Sequence, residues 1–329
     1  MGTKDTVLAL FEKNRGLYIS GEKIAKELNI TRTAVWKAVK ILQKEGYEIK
    51  AVTNRGYCLD KDSDVLSVRG IKSHLSDRCA NIRPEVFVSV DSTNSVCIRK
   101  ARKGENEGYV AVAGAQTAGR GRRGRAFYSP AGSGLYMSIL LHPEGYSSAQ
   151  ILRLTTAAAV AVSEAIETLS GKEADIKWVN DIFIDGRKVC GILSEAICSV
   201  PDGKLEYVVV GIGINAYAPA GGFPEEIKEM AGCVFDEPAV GLKDRLAAEV
   251  LERFMECYND LLGDYCYDEY RSRSLVIDKD VMVINSDGTS LKVHVLDLDR
   301  DFGLMVRYPD GSEEVLRSGE ISIRVVPEQ

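Results

Sequence analysis

Two apolar runs flank a tight turn in IKWVNDIFIDGRKVCGIL, residues 176–193. The Asp185-Gly186 pair between the runs is typical of a two-residue hairpin turn, so the pattern predicts two antiparallel strands. Lys177 lies in the first strand, where its ammonium group either reaches the surface or faces a binding site. A further apolar run, YVVVGIGIN at 207–215, carries two glycines at which a ligand or a loop can approach the backbone closely.

The residues around these runs predict an α+β body. A long helix is expected over 151–169, where an Ala-rich face can pack closely on a sheet. Because strands alternate with helices but also form hairpins, the sheet is expected to be mixed or mainly antiparallel. After about residue 272 the pattern changes to short strands separated by Asp-Gly turns, which predicts a small SH3-like β-barrel.

The first 60 residues predict a winged helix-turn-helix. One helix is expected over 4–14, Ser20 can cap a second, and Thr31 can cap a third that stops at Gly46. Two helices joined by a three-residue turn form the helix-turn-helix pattern. The alternating run that follows turns at 54–56 and predicts a two-stranded wing.

Length and composition limit the class of protein. With 329 residues the chain has room for two or three domains, and we expect them at 1–62, 63–272 and 273–329. The polar, charged stretch 61–68 is expected to be a linker. A composition of 45% hydrophobic and 27% charged residues with 9 Pro excludes extended disorder.

Charge is unevenly distributed along the chain. Residues 1–60 hold eleven basic and seven acidic side chains, a net charge of +4, whereas the other 269 residues hold 31 basic and 41 acidic ones, a net charge of −10. A basic head on an acidic body is typical of a polyanion-binding unit, although ordinary variation in surface charge would give the same pattern. DNA contacts are expected from the outward face of the third helix and the wing tip: Arg32, Thr33, Trp36, Lys37, Lys40 and Arg55. Winged helices also serve as protein-binding or spacer modules, which is the alternative.

Cysteine spacing and the distribution of apolar residues bear on metal binding and on the location of the protein in the cell. The eight Cys include no CxxC pair and only three His are present, so no metal site is expected in the protein itself. The start of the chain lacks the pattern of a secretory signal, and no window of 18 apolar residues predicts a membrane span. We therefore expect a cytoplasmic protein with free thiols and no membrane partner.

Two polar segments predict a ligand site in the body. The alternating run 85–90 ends in Asp91-Ser92-Thr93-Asn94, which either binds a polar ligand or simply caps a helix. The segment QTAGRGRRGR, 116–125, places four Arg among glycines, where guanidinium groups can fork onto phosphate oxygens. It is neither a Walker A loop nor the GxGxxG fingerprint. A mobile loop that orders over a phosphate-bearing ligand is the preferred interpretation, and an exposed basic loop that contacts RNA is the alternative.

Together these motifs resemble those of the bifunctional biotin protein ligase and biotin operon repressor family. DSTN, GRGRRG, KWxND, KxxGIL and GIGIN occur in family order, and the resemblance covers nearly the whole chain. It implies a winged helix-turn-helix, a central mixed-sheet biotin/lipoate ligase-like domain and a C-terminal SH3-like barrel. The implied activity is formation of biotinyl-5′-AMP from biotin and ATP, followed by transfer of biotin to a lysine of a biotin carboxyl carrier protein, that of acetyl-CoA carboxylase or another biotin-dependent carboxylase.

The resemblance also implies cofactors, partners and regulation. ATP and biotin would be substrates, with Mg²⁺ on the triphosphate. Biotinyl-5′-AMP would act as a corepressor that favours a homodimer through pairing of sheet edges, and the two winged heads would then bind palindromic operator DNA.

Residue roles are implied motif by motif. Lys177 and Arg122 would be catalytic. Biotin or its adenylate would contact Ser92, Thr93, Asn94, Gln116, Arg120, Gly121, Arg122, Lys177, Asn215 and Arg324, with Glu320 also on the ATP side. The chain departs from the family pattern at Val179, which replaces the proline of KWPND, and at Phe127, which stands where other members have Trp.

Two other functions compete with this interpretation. A lipoate ligase would share the body, although the winged head and the GRGRRG loop favour biotin. A transcription factor whose ligase domain only senses biotin is the second alternative, and the presence of Gln116, the Arg segment and Lys177 favours the enzyme.

Overall fold

The computed structural model describes residues 2–61, 63–143, 151–198, 205–284, 289–317 and 320–322. Its first part is the predicted winged helix-turn-helix: α1 (Thr3–Lys13), α2 (Gly21–Glu27), α3 (Arg32–Lys44), β1 (Ile49–Val52) and β2 (Gly56–Leu59). Both expected caps are present, since Ser20 Oγ accepts from the Lys23 amide and Thr31 Oγ1 from the Ala34 amide, each at 3.1 Å. The apolar stripe of α3 packs into a small core of the head's own.

A seven-stranded sheet forms the body. The chain runs through α4 (Val68–Ser73), β3 (Arg83–Phe87), α5 (Thr93–Ala101), β4 (Tyr109–Ala113), β5 (Gly134–Leu141), α6 (Ile151–Ser170), β6 (Asp175–Lys177), β7 (Asp181–Ile184), β8 (Arg187–Cys198), β9 (Leu205–Asn215), α7 (Leu242–Asn259) and α8 (Asp264–Ser272). The strand order is β3-β4-β5-β9-β8-β7-β6. Only β3 and β4 pair in parallel, so the predicted mixed, mainly antiparallel sheet is confirmed.

The two faces of this sheet have different partners. Alternate residues of β9, including Val210 and Ile212, pack into the main core with α6 and α7. The intervening residues face the other way, where Val209 packs against α5 in a smaller cluster. Gly211 and Gly213 lie on that second face, because side chains alternate along a strand.

The predicted hairpin is confirmed, but its first strand is broken. Asp185 and Gly186 form the turn between β7 and β8 with φ of 50° and 73°, as a primed hairpin turn requires. The apolar run 176–184, expected to be one strand, instead forms β6 and β7 with a turn between them. Polar groups at this turn bond elsewhere: Trp178 Nε1 donates to the Phe302 carbonyl and Asn180 Nδ2 to the Ile192 carbonyl, each at 2.8 Å.

The C-terminal part is an antiparallel sheet of β10 (Asp280–Ile284), β11 (Ser290–Leu298), β12 (Leu304–Arg307), β13 (Glu313–Leu316) and β14 (Glu320–Ser322). The strand order is β13-β12-β11-β10-β14. Within the described residues the edge strands β13 and β14 do not pair, so closure into an SH3-like barrel stays a prediction. Within the residues that the structure describes, from the head to the C-terminal sheet, no helix combines the length and apolar character needed to cross a membrane.

The segment 63–67, expected to be a solvated linker, is packed instead. Val65 lies against the core of the head, while Leu66 is buried in the main core of the body. Asp64 accepts from Tyr217 Oη at 2.6 Å, and the Asp244 carboxylate accepts from both the amide and the hydroxyl of Ser67 at 2.8 and 3.0 Å. The polar, charged sequence of this segment predicts a linker. Asp64 and Ser67 nevertheless have hydrogen-bond partners 153 and 177 positions away along the chain, which the local sequence does not reveal.

This junction predicts a pH dependence of stability. Burial raises the pKa of Asp244 from its usual 3.8 to about 6. Between these pH values the folded protein holds a proton that the unfolded chain has released, so the free energy of unfolding should fall as pH rises, by up to about 1.4 kcal/mol per pH unit. Asp244→Asn should flatten this slope in urea unfolding series between pH 4 and pH 6.

Asp268→Asn, at an exposed position of α8, is the matched control and should keep the wild-type slope. An Asp244→Asn protein with the wild-type slope would show that another group is responsible.

Candidate functional site

The start of α5 lies directly on the backbone of β9. A Cβ atom at Gly211 would lie 2.0 Å from Asn94 Oδ1, and one at Gly213 would lie 2.6 Å from the Phe127 ring. Both glycines are therefore required for this close packing. Ser92, Thr93 and Asn94 are all buried here, and the Ser92 hydroxyl makes no capping hydrogen bond. The simpler alternative, a plain helix cap, is not what the structure contains.

A small polar cavity opens at this contact. It is lined by Ser92, Thr93, Asn94, Gln116, Arg120, Phe127, Gly191, Leu193, Gly211, Ile212 and Gly213. Five of the predicted ligand-binding residues, from the start of α5 and the Arg segment, thus lie together against the strands β8 and β9. Phe127 forms one wall, with its ring edge-on to Tyr136 at 6.4 Å between centroids.

Hydrogen bonds fix the polar side chains of the cavity. Gln116 Oε1 accepts from the amide of Thr93 at 2.8 Å, while its Nε2 donates to Ser129 Oγ at 3.1 Å. Ser138 Oγ donates to Asn94 Oδ1 at 2.6 Å and lies 2.7 Å from Thr93 Oγ1. The amide orientations of Gln116 and Asn94 are therefore set before any ligand binds.

One carboxylate links two of these groups. Glu195 Oε2 accepts from Asn94 Nδ2 at 2.7 Å and from Arg120 Nη2 at 2.9 Å. Arg120 also reaches Ser95 Oγ at 3.4 Å. The bonded Arg120 guanidinium thereby lies at the rim of the cavity.

The rest of the Arg segment leads toward the KWVND turn. Arg122 Nη1 donates to Asn180 Oδ1 at 3.0 Å. Arg122 also lines a second cavity, together with Leu152, Thr155, Val179, Ile192, Leu193 and Ser194. Gly121 holds the loop closed, since its amide donates to the Arg125 carbonyl at 2.7 Å. The two cavities share Leu193 of β8, with the first on the α5 side of the sheet and the second beside α6.

Two lysines lie near this region, and they are placed differently. Lys177 is on β6, paired with Asp181 of β7, and its ammonium lies 5.6 Å from the centre of the Phe183 ring. Lys188 is on β8, where its Nζ would be 3.4 Å from a Cβ at Gly191, which lines the first cavity. Lys188 Nζ also forms an ion pair with Asp181 Oδ1 at 2.6 Å. The lysine of KxxGIL is thus next to the cavity, and Lys177 lies on β6, two strands away from β8.

Other predicted ligand contacts lie away from the cavities or outside the described residues. Asn215 Nδ2 donates to the Gly232 carbonyl at 3.0 Å, so this side chain holds the loop after β9. Neither cavity is lined by Asn215. Arg324 and the side chain of Glu320 lie outside the described part of the chain.

Sequence reasoning missed three polar residues of the site: Ser129, Ser138 and Glu195. Ser138 had a readable signal, because it is the single polar side chain in the apolar strand GLYMSILL and is fully buried. Glu195 follows the apolar GIL run of β8, and its partner Arg120 lies 75 positions away along the chain, so the sequence carried no signal for this contact. Ser129 carried no signal of its own.

The predicted DNA-facing residues are accessible together. Arg32, Thr33, Trp36, Lys37 and Lys40 are exposed on one side of α3, and Trp36 is 51% exposed. Arg55 is exposed at the tip of the wing, with its guanidinium 4.4 Å from the centre of the Tyr18 ring. These side chains form one exposed surface rich in positive charge, as a face that contacts phosphates requires.

Comparisons with known proteins agree with both halves of the chain. The model of the biotin/lipoate A/B protein ligase family matches residues 86–215, and a helix-turn-helix domain model matches residues 3–58. The bifunctional ligase/repressor BirA of Bacillus subtilis is 35% identical over 88% of this chain and 86% of its own length. The protein of the same name from Escherichia coli is 28% identical over 94% of each chain.

A solved structure has a similar fold over most of this chain. The biotin protein ligase of Aquifex aeolicus, in complex with biotin and ATP, is 26% identical with a TM-score of 0.60, and the match covers 73% of this chain and 97% of that one. A winged head, a cavity built on DSTN and GIGIN, and these full-length relatives together show that the chain belongs to the biotin protein ligase family, as a ligase of the bifunctional ligase/repressor type.

Proposed function

We propose that this protein joins biotin to ATP to form biotinyl-5′-AMP and transfers the biotin to a lysine of a carrier protein of acetyl-CoA carboxylase. The observation that carries the proposal is the pair of adjacent cavities on β8, one with a preset hydrogen-bonding lining and the other bordered by Arg122. A polar ring system fits the first, and a nucleotide fits the second.

The first cavity suits the biotin end. Biotin presents a carbonyl oxygen and two N–H groups, which need donors and acceptors held at fixed positions. Ser92, Thr93 and Asn94 supply such groups on buried side chains, Gln116 supplies them on a half-buried one, and the Phe127 ring supplies an apolar wall. Because buried polar groups left unpaired are costly, such a lining disfavours a ligand without a matching pattern, such as the lipoyl group.

The second cavity suits the phosphate and nucleoside end. Arg122 lines the second cavity, Lys188 lies against Gly191 of the first, and Lys177 is on β6, two strands from β8. Gly121 lets the backbone approach the ligand. Among the described residues no group of three or more His, Cys, Asp or Glu side chains could hold a metal ion. A Mg²⁺ ion would be held mainly by the nucleotide phosphates.

The chemistry explains why cations are needed. The biotin carboxylate attacks the α-phosphorus of ATP and pyrophosphate leaves, giving a mixed anhydride. The ε-amine of the carrier lysine then attacks the anhydride carbonyl, and AMP leaves. In both steps negative charge increases on phosphate oxygens, so the contribution of Arg122 and the lysines is positioning and electrostatic stabilisation.

The repressor function is proposed from the exposed face of α3 and from a free strand edge. The Arg187–Gly191 half of β8 pairs with β7, whereas no strand of the described residues covers the outer edge of the rest of β8. A second copy could pair there and form a homodimer. Because Glu195 lies on this edge and bonds to Asn94 and Arg120, a bound adenylate would bias the edge and act as corepressor. Operator DNA in the cytoplasm would then be bound by two winged heads.

Biotin transfer is the direct test of the enzyme. The protein should label a biotin carboxyl carrier domain only when ATP and biotin are both present, and a carrier with its acceptor lysine changed to Arg should stay unlabelled. Lipoate in place of biotin should give no product. Labelling with lipoate alone would support the lipoate ligase alternative, and absence of any labelling would leave only a biotin sensor.

The roles of the two lysines can be separated. Lys188→Ala should lower the rate of biotin-dependent pyrophosphate exchange by about 10- to 100-fold, since a charged hydrogen bond contributes roughly 1.5–3 kcal/mol. Lys177→Ala should cost less, because Lys177 lies on β6, two strands from β8, and does not line either cavity. Lys228→Ala, at an exposed position outside the site, is the control. A larger loss for Lys177→Ala would give the main role to Lys177.

DNA binding should depend on the ligand. In mobility-shift titrations against a duplex selected from a random pool, biotin with ATP should tighten binding at least about tenfold relative to ATP alone. Lys40→Ala should weaken binding at every sequence and reduce the salt slope by about one, as expected for one lost phosphate contact. Equal affinity with and without biotin would exclude a corepressor role.

A further inference from the structure

The Glu195 carboxylate holds two of the side chains that line the first cavity without lining the cavity itself. Its Oε2 atom is 2.7 Å from Asn94 Nδ2 and 2.9 Å from Arg120 Nη2. The two partners come from unrelated segments, the start of α5 and the Arg segment. Glu195 is therefore the shared acceptor that fixes their separation.

The contact with Asn94 determines which way its amide points. Nδ2 donates both of its protons, one to Glu195 and one to the Leu193 carbonyl at 3.2 Å. Oδ1 is then left to accept from the Ser138 hydroxyl at 2.6 Å. Without the carboxylate, Nδ2 would keep only the longer of its two bonds, and the amide would be less restrained.

The contact with Arg120 restrains a long, flexible side chain. Arg120 lies among glycines and other arginines, so its neighbours repel it and do not hold it. Its side chain is 42% exposed and that of Glu195 is 27% exposed. At such exposure an ion pair adds little to stability, so its main effect is to hold the guanidinium in one direction.

We propose that Glu195 is a positioning residue of the ligase: by holding Arg120 and Asn94 together it closes the rim of the cavity and slows release of the bound adenylate. The inference rests on the proposed ligase function. It assigns to Glu195 an effect on ligand retention and on the KM for biotin, while the chemical step itself depends on the cations near the phosphate.

Glu195→Ala and Glu195→Gln test this role. The Ala variant removes both contacts, so the KM for biotin and the rate of adenylate release should each rise at least about tenfold, with kcat within about threefold of wild type. The Gln variant keeps an acceptor for Asn94 but loses the charge, so it should recover part of this loss. Release is measured by loading the full-length protein with labelled biotin and ATP and chasing with unlabelled biotin.

Two further variants separate positioning from a structural defect. Glu206→Ala changes an exposed carboxylate on the neighbouring strand β9 and should leave KM and release at wild-type values. In an Arg120→Ala background, Glu195→Ala should have a smaller effect than in wild type, because one of its two contacts is already absent. Melting temperatures of all variants should agree within a few degrees.

The outcomes are distinguishable from those of the proposed function. If wild type forms no adenylate from biotin and ATP, the ligase proposal fails. If wild type is active and Glu195→Ala releases the adenylate at the wild-type rate, the positioning role is wrong. Equal losses of kcat and kcat/KM in Glu195→Ala, with no rescue by Gln, would also overturn it and would instead place Glu195 in the chemical step.

Discussion

The close contact between α5 and the backbone of β9 is the constraint on which the site depends. Three glycines, Gly191, Gly211 and Gly213, leave the sheet surface without side chains where Asn94 and Phe127 lie against it. Any Cβ atom at Gly211 or Gly213 would push these groups away, and the cavity lining would lose its geometry. Thr93 is bonded to Gln116 and Ser138, and Asn94 is bonded to Glu195, so the hydrogen bonds of the site extend outward from this steric contact.

The sequence allowed local features to be predicted well and long-range contacts poorly. Capping residues, the apolar stripe of α3 and the Asp185-Gly186 turn depend on neighbours within a few positions, and all three were correct. The break between β6 and β7 was missed, because it depends on Phe302, more than a hundred positions away. The packed segment 63–67 was missed for the same reason, since Asp64 and Ser67 find their partners in distant parts of the body. Resemblance supplied the DSTN and GRGRRG residues, but only the structure showed that Lys188 lies against Gly191, a residue of the cavity lining.

The basic side chains of the head and those of the body have different surroundings. In the head, the basic side chains of α3 are exposed to solvent around Trp36, so their charge attracts anions in solution. In the body, Arg120, Arg122 and Lys188 each have a nearby partner, respectively Glu195, Asn180 and Asp181. The net acidity of the body therefore coexists with a local site that can take phosphate, because each cation is oriented by one defined neighbour.

The packing of segment 63–67 sets how far the head can move. A head on a solvated tether would sample many directions, and two such heads could adapt to binding sites at many separations. Here Val65 is fixed in one core, Leu66 in the other, and Asp64 and Ser67 are bonded to the body. In the proposed dimer, the distance and rotation between the two recognition helices are thus set by the ligase bodies. Such a molecule measures the phase of the DNA double helix, and half-sites displaced by half a turn would lie on the wrong side of the duplex.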